Sequence, residues 1–145
     1  MSDACWNLER VRRHVAGHLP LAALLGIEIA KAERDSSVVR LVGNPHVWRP
    51  GGSVAGPVLF AMADIATYAL TLTLLQEDTS VTANLLINFF RPATDLPLVA
   101  EAAPLRAGRR LMAFDVRIWP EAAGPDRLLA QATATWAVAG DRTRP

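Results

Sequence analysis

Apolar side chains recur at two different spacings along this chain, and the changes of period divide it into elements. Leu8, Val11, Val15 and Leu19 stand three or four positions apart, one face of a helical stretch over residues 5–25 that Pro20 restarts and Gly26 ends. From Gly26 the period falls to two: Ile27 and Ile29 alternate with Glu28 and Ala30, residues 35–37 turn, and Val38 to Val42 return, a hairpin over 26–43. Residues 43–56 hold four Gly and two Pro in fourteen positions and read as irregular. Pro57, suited to a first helical turn, opens a long apolar helix over 56–75 that Gln76, Glu77 and Asp78 end. Everything after it is strand-like. Val81, Ala83, Leu85, Ile87 and Phe89 share one face, and Thr82, Asn84, Leu86 and Asn88 the other. Strands over 98–106, 110–119 and 127–138 follow, separated by turns at 91–95, 107–109 and 120–126.

A helix that is apolar almost all round must be covered on most sides, and a strongly curved antiparallel sheet wrapped around it is the simplest cover. The expected class is α+β, one domain over residues 1–145 with a helical segment at 1–25, a core at 26–139 and a tail at 140–145. The helix at 56–75 would be about 30 Å long, enough to cross a bilayer. Asp64 near its middle would cost about 3 kcal/mol in lipid, and no basic residue anchors its end, so a buried helix is expected and no membrane partner. Asp3 and Glu9 precede Arg10, Arg12 and Arg13 with no uninterrupted apolar core behind them, so no secretory signal is read and a cytoplasmic location is expected. The single cysteine, Cys5, excludes an internal disulfide and a Cys-rich zinc site. A net charge of +1 argues against a nucleic-acid binder. Arg outnumbers Lys fourteen to one, a bias of GC-rich bacterial composition that carries little functional weight.

Asp64 is the most informative residue. Thr67, Tyr68 and Thr71 share its stripe, the only polar seam on the helix. A carboxylate there is either used or held structurally by Thr82, Asn84 or a backbone amide. The loop from Arg49 to Pro57 leads glycine-rich backbone into the helix start, where amides favour an anion or a developing oxyanion. It lacks the Gly-Lys-Ser/Thr ending of a phosphate loop. Arg91, Arg109 and Arg110 stand at turns where a phosphate-bearing coenzyme fits, or where solvated charge is ordinary. His14, His18 and His46 show no metal-ligand spacing, so no metal is expected. Trp48 and Phe60 are candidates for an acyl pocket or for core; Trp6, Trp119 and Trp136 read as packing or interface.

The run Gly-Pro-Val-Leu-Phe-Ala-Met-Ala-Asp-Ile-Ala at 56–66 resembles the helix motif of hotdog-fold acyl-CoA thioesterases of the phenylacetic acid degradation type. The ending Asn88-Phe89-Phe90-Arg91-Pro92-Ala93, residues 107–110 and the closing 130–135 resemble the same family in the same order, over about residues 20–139. The resemblance implies a sheet wrapped around one helix, homodimers and homotetramers, and hydrolysis of an acyl-CoA or other acyl thioester, the coenzyme entering as substrate and no cofactor being needed. It implies Asp64 as catalytic base or nucleophile, Gly56 as the amide that polarises the carbonyl, and Thr82 as a residue orienting water. Three neighbours depart from the family: Ala55 stands where it has His, Pro57 where it has a second Gly, and Arg49 near its Asn or Gln. With Phe60, Asn84, Arg91, Arg109 and Arg110, these form the expected substrate-binding set. Gly56 and Asp64 lie eight residues apart, about 12 Å along a helix, too far to serve one carbonyl within one chain. Two antiparallel helices, one per subunit, would bring them together. A non-catalytic hotdog protein that binds an acyl thioester or a partner is the alternative; a hydratase would need an Asp and His pair in the loop before the helix, which is absent.

Overall fold

The computed structural model describes residues 5–139; the tail expected at 140–145 lies outside them, as does the amino-terminal Asp3. The amino-terminal stretch is two helices, α1 (Leu8–His18) and α2 (Pro20–Leu25). Leu19, outside the helical region at φ −129° and ψ 74°, separates them, because the proline ring of Pro20 disfavours helix in the residue before it. Gly26 ends α2 with φ 72°, and a Cβ there would lie 2.7 Å from the Gly43 carbonyl oxygen. Only glycine makes that turn.

The hairpin follows as β1 (Ile27–Ala32) and β2 (Ser37–Leu41). The loop expected to be irregular contains one turn of 3₁₀ helix (Pro45–Val47) and a minimal hairpin, β3 (Trp48–Arg49) with β4 (Ser53–Val54), closed over Gly51 and Gly52, both at positive φ. Helix α3 (Gly56–Leu75) comes next, then β5 (Ser80–Phe89), β6 (Leu98–Ala107), β7 (Leu111–Pro120) and β8 (Ala130–Val138). The last strand begins at Ala130 rather than at 127. Arg127 is still in a turn, its N–H bonded to the Gly124 carbonyl, and the Leu129 carbonyl is taken by the amides of Phe90 and Arg91.

Six strands form one antiparallel sheet in the order β1-β2-β6-β7-β8-β5. Val39, Leu41, Phe114, Val116 and Ile118 are fully buried, as are the small residues Ala100, Ala102, Ala130, Ala132 and Ala134. Met62, Ala63, Ala66 and Leu70 of α3 are equally buried. Alanines on the sheet let the helix lie close, and the Ser37 hydroxyl donates to the Ala66 carbonyl between them. Helices α1 and α2 cover α3 and β1 from the side. The apolar run at 56–75 is thus the core helix of an α+β fold, a curved sheet around one helix.

Candidate active site

Asp64 sits half-buried in the middle of α3, and its Oδ1 accepts a 2.6 Å hydrogen bond from the Thr82 hydroxyl. Strict alternation places Thr82 with Asn84, Leu86 and Asn88. The pairing with β8 shows otherwise: Thr82 is opposite Trp136, but Asn84 is opposite Thr135, so Ala83 is a β-bulge. An extra residue inverts the alternation on one side of it. Thr82 therefore joins Leu85, Ile87 and Phe89 on the face towards α3, while Val81 is on the outer face. Asn84 is on the outer face too, so the expected role of Asn84 beside the carboxylate is wrong, and of its expected partners Asp64 has Thr82.

Burial pushes the Asp64 carboxyl above the ordinary carboxylate range, and the Thr82 hydroxyl partly opposes that rise. Two residues of its stripe serve the helix itself. The Thr67 hydroxyl donates back to the carbonyls of Ala63 and Asp64 and accepts from Trp136 Nε1 at 2.8 Å; the Thr71 hydroxyl donates to the Tyr68 carbonyl. Tyr68 lies flat on Trp136, ring planes 7° apart, and donates to Asp78 Oδ2 at 2.6 Å, which also meets His14 Nε2 at 2.7 Å. Burial first, then that bond, raises the Tyr68 phenol well above its usual range, whereas its two partners hold Asp78 low despite partial burial.

The other end of α3 is built from the loop. The Ala55 N–H reaches the Val47 carbonyl, and the Ala55 carbonyl accepts from Val58 and Leu59. Ala55 offers no side chain to cap the helix, and Pro57 has no N–H. The Gly56 N–H is left with no acceptor among the described residues. Gly56 lines a cleft of about 330 Å³ together with Arg49, Ser53, Phe89, Phe90 and Arg91. The Phe89 ring packs over the helix start, where a Cβ on Gly56 would rest on it in ordinary contact at 3.4 Å. A second hollow of about 370 Å³, almost wholly apolar, lies between Gly56, Pro57, Phe60, Ile87 and Phe89.

The expected residues thus fall into two groups. Asp64 and Thr82 are at one end of β5, where Leu111 opposite Ala137 and Ala137 opposite Val81 also bring the β6–β7 turn with Arg109 and Arg110. Gly56, Arg49, Ala55, Pro57, Phe60 and Arg91 are at the Phe89 end. Seven positions of strand separate Thr82 from Phe89, about 23 Å. Sequence reasoning missed Ser53, Phe90 and Trp136 as site neighbours. Only the repeated aromatic pair at 89–90 before Arg91, apolar beyond what one sheet face needs, signalled any of them.

Residues 51–125, more than half of the chain, match the family model described as the thioesterase superfamily. A candidate esterase of Saccharolobus solfataricus is 33% identical over 114 residues, 79% of this chain and 74% of that protein. This chain belongs to the thioesterase superfamily. A candidate thioesterase of Silicibacter sp. superposes with a TM-score of 0.80 at 28% identity, covering 92% of each chain. Two further structures share the fold: a thioesterase of Haemophilus influenzae (TM-score 0.80, 21% identity, 94% of each chain) and the Escherichia coli PaaI protein of the phenylacetic acid degradation operon (0.78, 20%, 92% of this chain and 94% of that one).

Proposed function

We propose that this member of the superfamily hydrolyses an acyl-coenzyme A thioester in the manner of the phenylacetic acid degradation type, at two equivalent sites in a homodimer. The observation that carries the reading is Asp64: a half-buried carboxylate, fixed by Thr82 at 2.6 Å, on a helix otherwise given over to core. The Gly56 amide, without an acceptor among the described residues, supports the complementary role. In the reaction the thioester oxygen accepts the Gly56 N–H as negative charge develops on it. Asp64 either removes a proton from the attacking water or attacks the carbonyl itself, with water cleaving the resulting anhydride. The C–S bond breaks, the sulfur leaves as thiolate and takes up the proton, and the free acid remains.

The dimer reading is supported by β5, a ten-residue strand at the end of the sheet with one edge unpaired among the described residues and Leu86 63% exposed beside it. Such an edge pairs with another strand or invites aggregation. Antiparallel pairing with the same strand of a second copy, about a twofold axis at Leu86, sets Leu85 of one opposite Ile87 of the other and, across the Ala83 bulge, Thr82 opposite Phe89. Asp64 of one subunit then faces the cleft that holds Gly56 of its partner, with Arg109 and Arg110 at the rim. The outer sheet face, with Val81, Leu86 and Leu111 exposed, is where such dimers would pair into tetramers.

The test is a panel of acyl-coenzyme A thioesters with thiol detection, run on wild type and Asp64→Asn. The variant should keep its circular dichroism and lose at least about a hundredfold in rate. Full activity in the variant would remove Asp64 from the chemistry. A protein that binds thioesters but turns none over would be the non-catalytic hotdog protein.

A further inference from the structure

The cleft at the Gly56 end carries positive charge that nothing in the structure answers. Arg49 and Arg91 both line it and both reach solvent, and neither makes an ion pair or a side-chain hydrogen bond among the described residues. Arg40, Arg117 and Lys31 elsewhere on the surface each meet a carboxylate. Among the described residues of its own chain no Asp or Glu lines the cleft, so that in the proposed dimer its one carboxylate would be the catalytic Asp64 of the partner subunit; Ser53 is the remaining polar side chain, and Val54, Leu59, Phe89, Phe90, Pro92 and Ala93 complete the wall. Two guanidinium forks over an apolar, aromatic wall suit a planar anion attached to a short hydrocarbon.

Size decides where on the substrate that anion belongs. In coenzyme A about a dozen single bonds separate the sulfur from the first phosphate, a reach of roughly 15 Å at ordinary bond lengths. The cleft in one subunit, about 330 Å³ and open to solvent, matches a short acyl group, and the extended arm would run beyond it. A group held by Arg49 and Arg91 in the space that Gly56 also lines therefore lies a few atoms from the thioester carbonyl, on the acyl side.

We infer that the preferred substrates are thioesters of short dicarboxylic acids, whose free carboxylate is bound by Arg49 and Arg91. This rests on the reading of Gly56 as the amide at the thioester carbonyl. The two arginines are then specificity-determining: a neutral acyl group gains nothing from the two guanidinium groups, which stay hydrated, and a carboxylate takes two parallel hydrogen bonds from either.

Glutaryl-coenzyme A and pentanoyl-coenzyme A, equal in carbon count and differing in the terminal carboxylate, are the probes. Wild type should favour the glutaryl thioester in kcat/KM by about tenfold or more, the worth of a hydrogen bond to a charged group. In Arg49→Ala and in Arg91→Ala that ratio should fall towards one, with Arg49→Lys retaining part of it. A wild type that prefers the pentanoyl thioester would overturn the inference. So would a ratio unmoved in the alanine variants because both rates fall together, which would assign the arginines to the coenzyme phosphates or the reacting carbonyl. Calorimetric binding of the corresponding glutaryl and pentanoyl amide analogues, which cannot be hydrolysed at a thioester, separates the two readings. Arginine-dependent preference in binding without turnover of either thioester leaves the inference standing and the proposed hydrolysis refuted; turnover of both without such preference does the reverse.

Discussion

At the scale of single residues, the chemistry depends on how two atoms are held. As the proposed base or nucleophile Asp64 must be ionised, and its environment raises the pH at which it ionises, with Thr82 as the one side chain that lowers it again. Activity should therefore fall through an acid limb above the ordinary carboxylate range. Replacing Thr82 by Val removes the donor, the Asp64 pKa rises further, and the limb should move to higher pH; an unmoved limb would show that the titration governing the rate is elsewhere. Asp64 was legible in the sequence as the one charge on an apolar helix, and Gly56 from its place at the helix start. Arg49 and Arg91 were legible as separate candidates for substrate contact, Arg49 from its place near the family's Asn or Gln and Arg91 as a turn charge suited to a phosphate, but not as neighbours. That they share a cleft with Gly56 depends on the β3–β4 hairpin and the strand end at Phe89, which no local pattern relates.

At the scale of elements, periodicity recovered the order of helices and strands because both faces of most strands are committed, one to α3 and one to solvent. It failed at β5, where a single extra residue, Ala83, inverts the faces upstream and so decides that Thr82 rather than Asn84 meets the carboxylate. An inserted residue leaves no mark on composition. The docking of α1 was equally hidden: His14 was legible only as lacking metal-ligand spacing, while the structure joins it to Asp78 and, through that carboxylate, to Tyr68 on α3. Asp78 is held below its ordinary value when folded, so its contribution to stability is present above the unfolded-state pKa and lost as pH falls through the folded one. Asp78→Asn should lower stability by about 1 kcal/mol near neutral pH, a figure kept small because the carboxylate is partly solvated. In denaturant titrations the difference should close below about pH 4. A constant difference down to pH 2 would show that the loss is not of this ionic kind.

At the scale of the whole molecule, the core is complete in one chain but the proposed site is not. The unpaired edge of β5 and the exposed Leu86 and Phe89 predict a dimer at micromolar concentration, and sedimentation as a folded monomer would exclude the shared site. The distance between Gly56 and Asp64 has a consequence for inheritance as well as for mechanism. Gly56→Pro deletes the amide hydrogen at a helix position that accepts proline, since Ala55 before it is already extended. With the site shared as proposed, subunits with that defect and subunits with Asp64→Asn should each be inactive alone, yet a mixed pair would contain one site with both groups intact. After co-refolding in equal amounts, random pairing makes half of the dimers mixed, each with one of two sites restored, so about a quarter of wild-type activity should return. Two broken copies of the gene would then complement one another, whereas a copy carrying both changes would be rescued by neither.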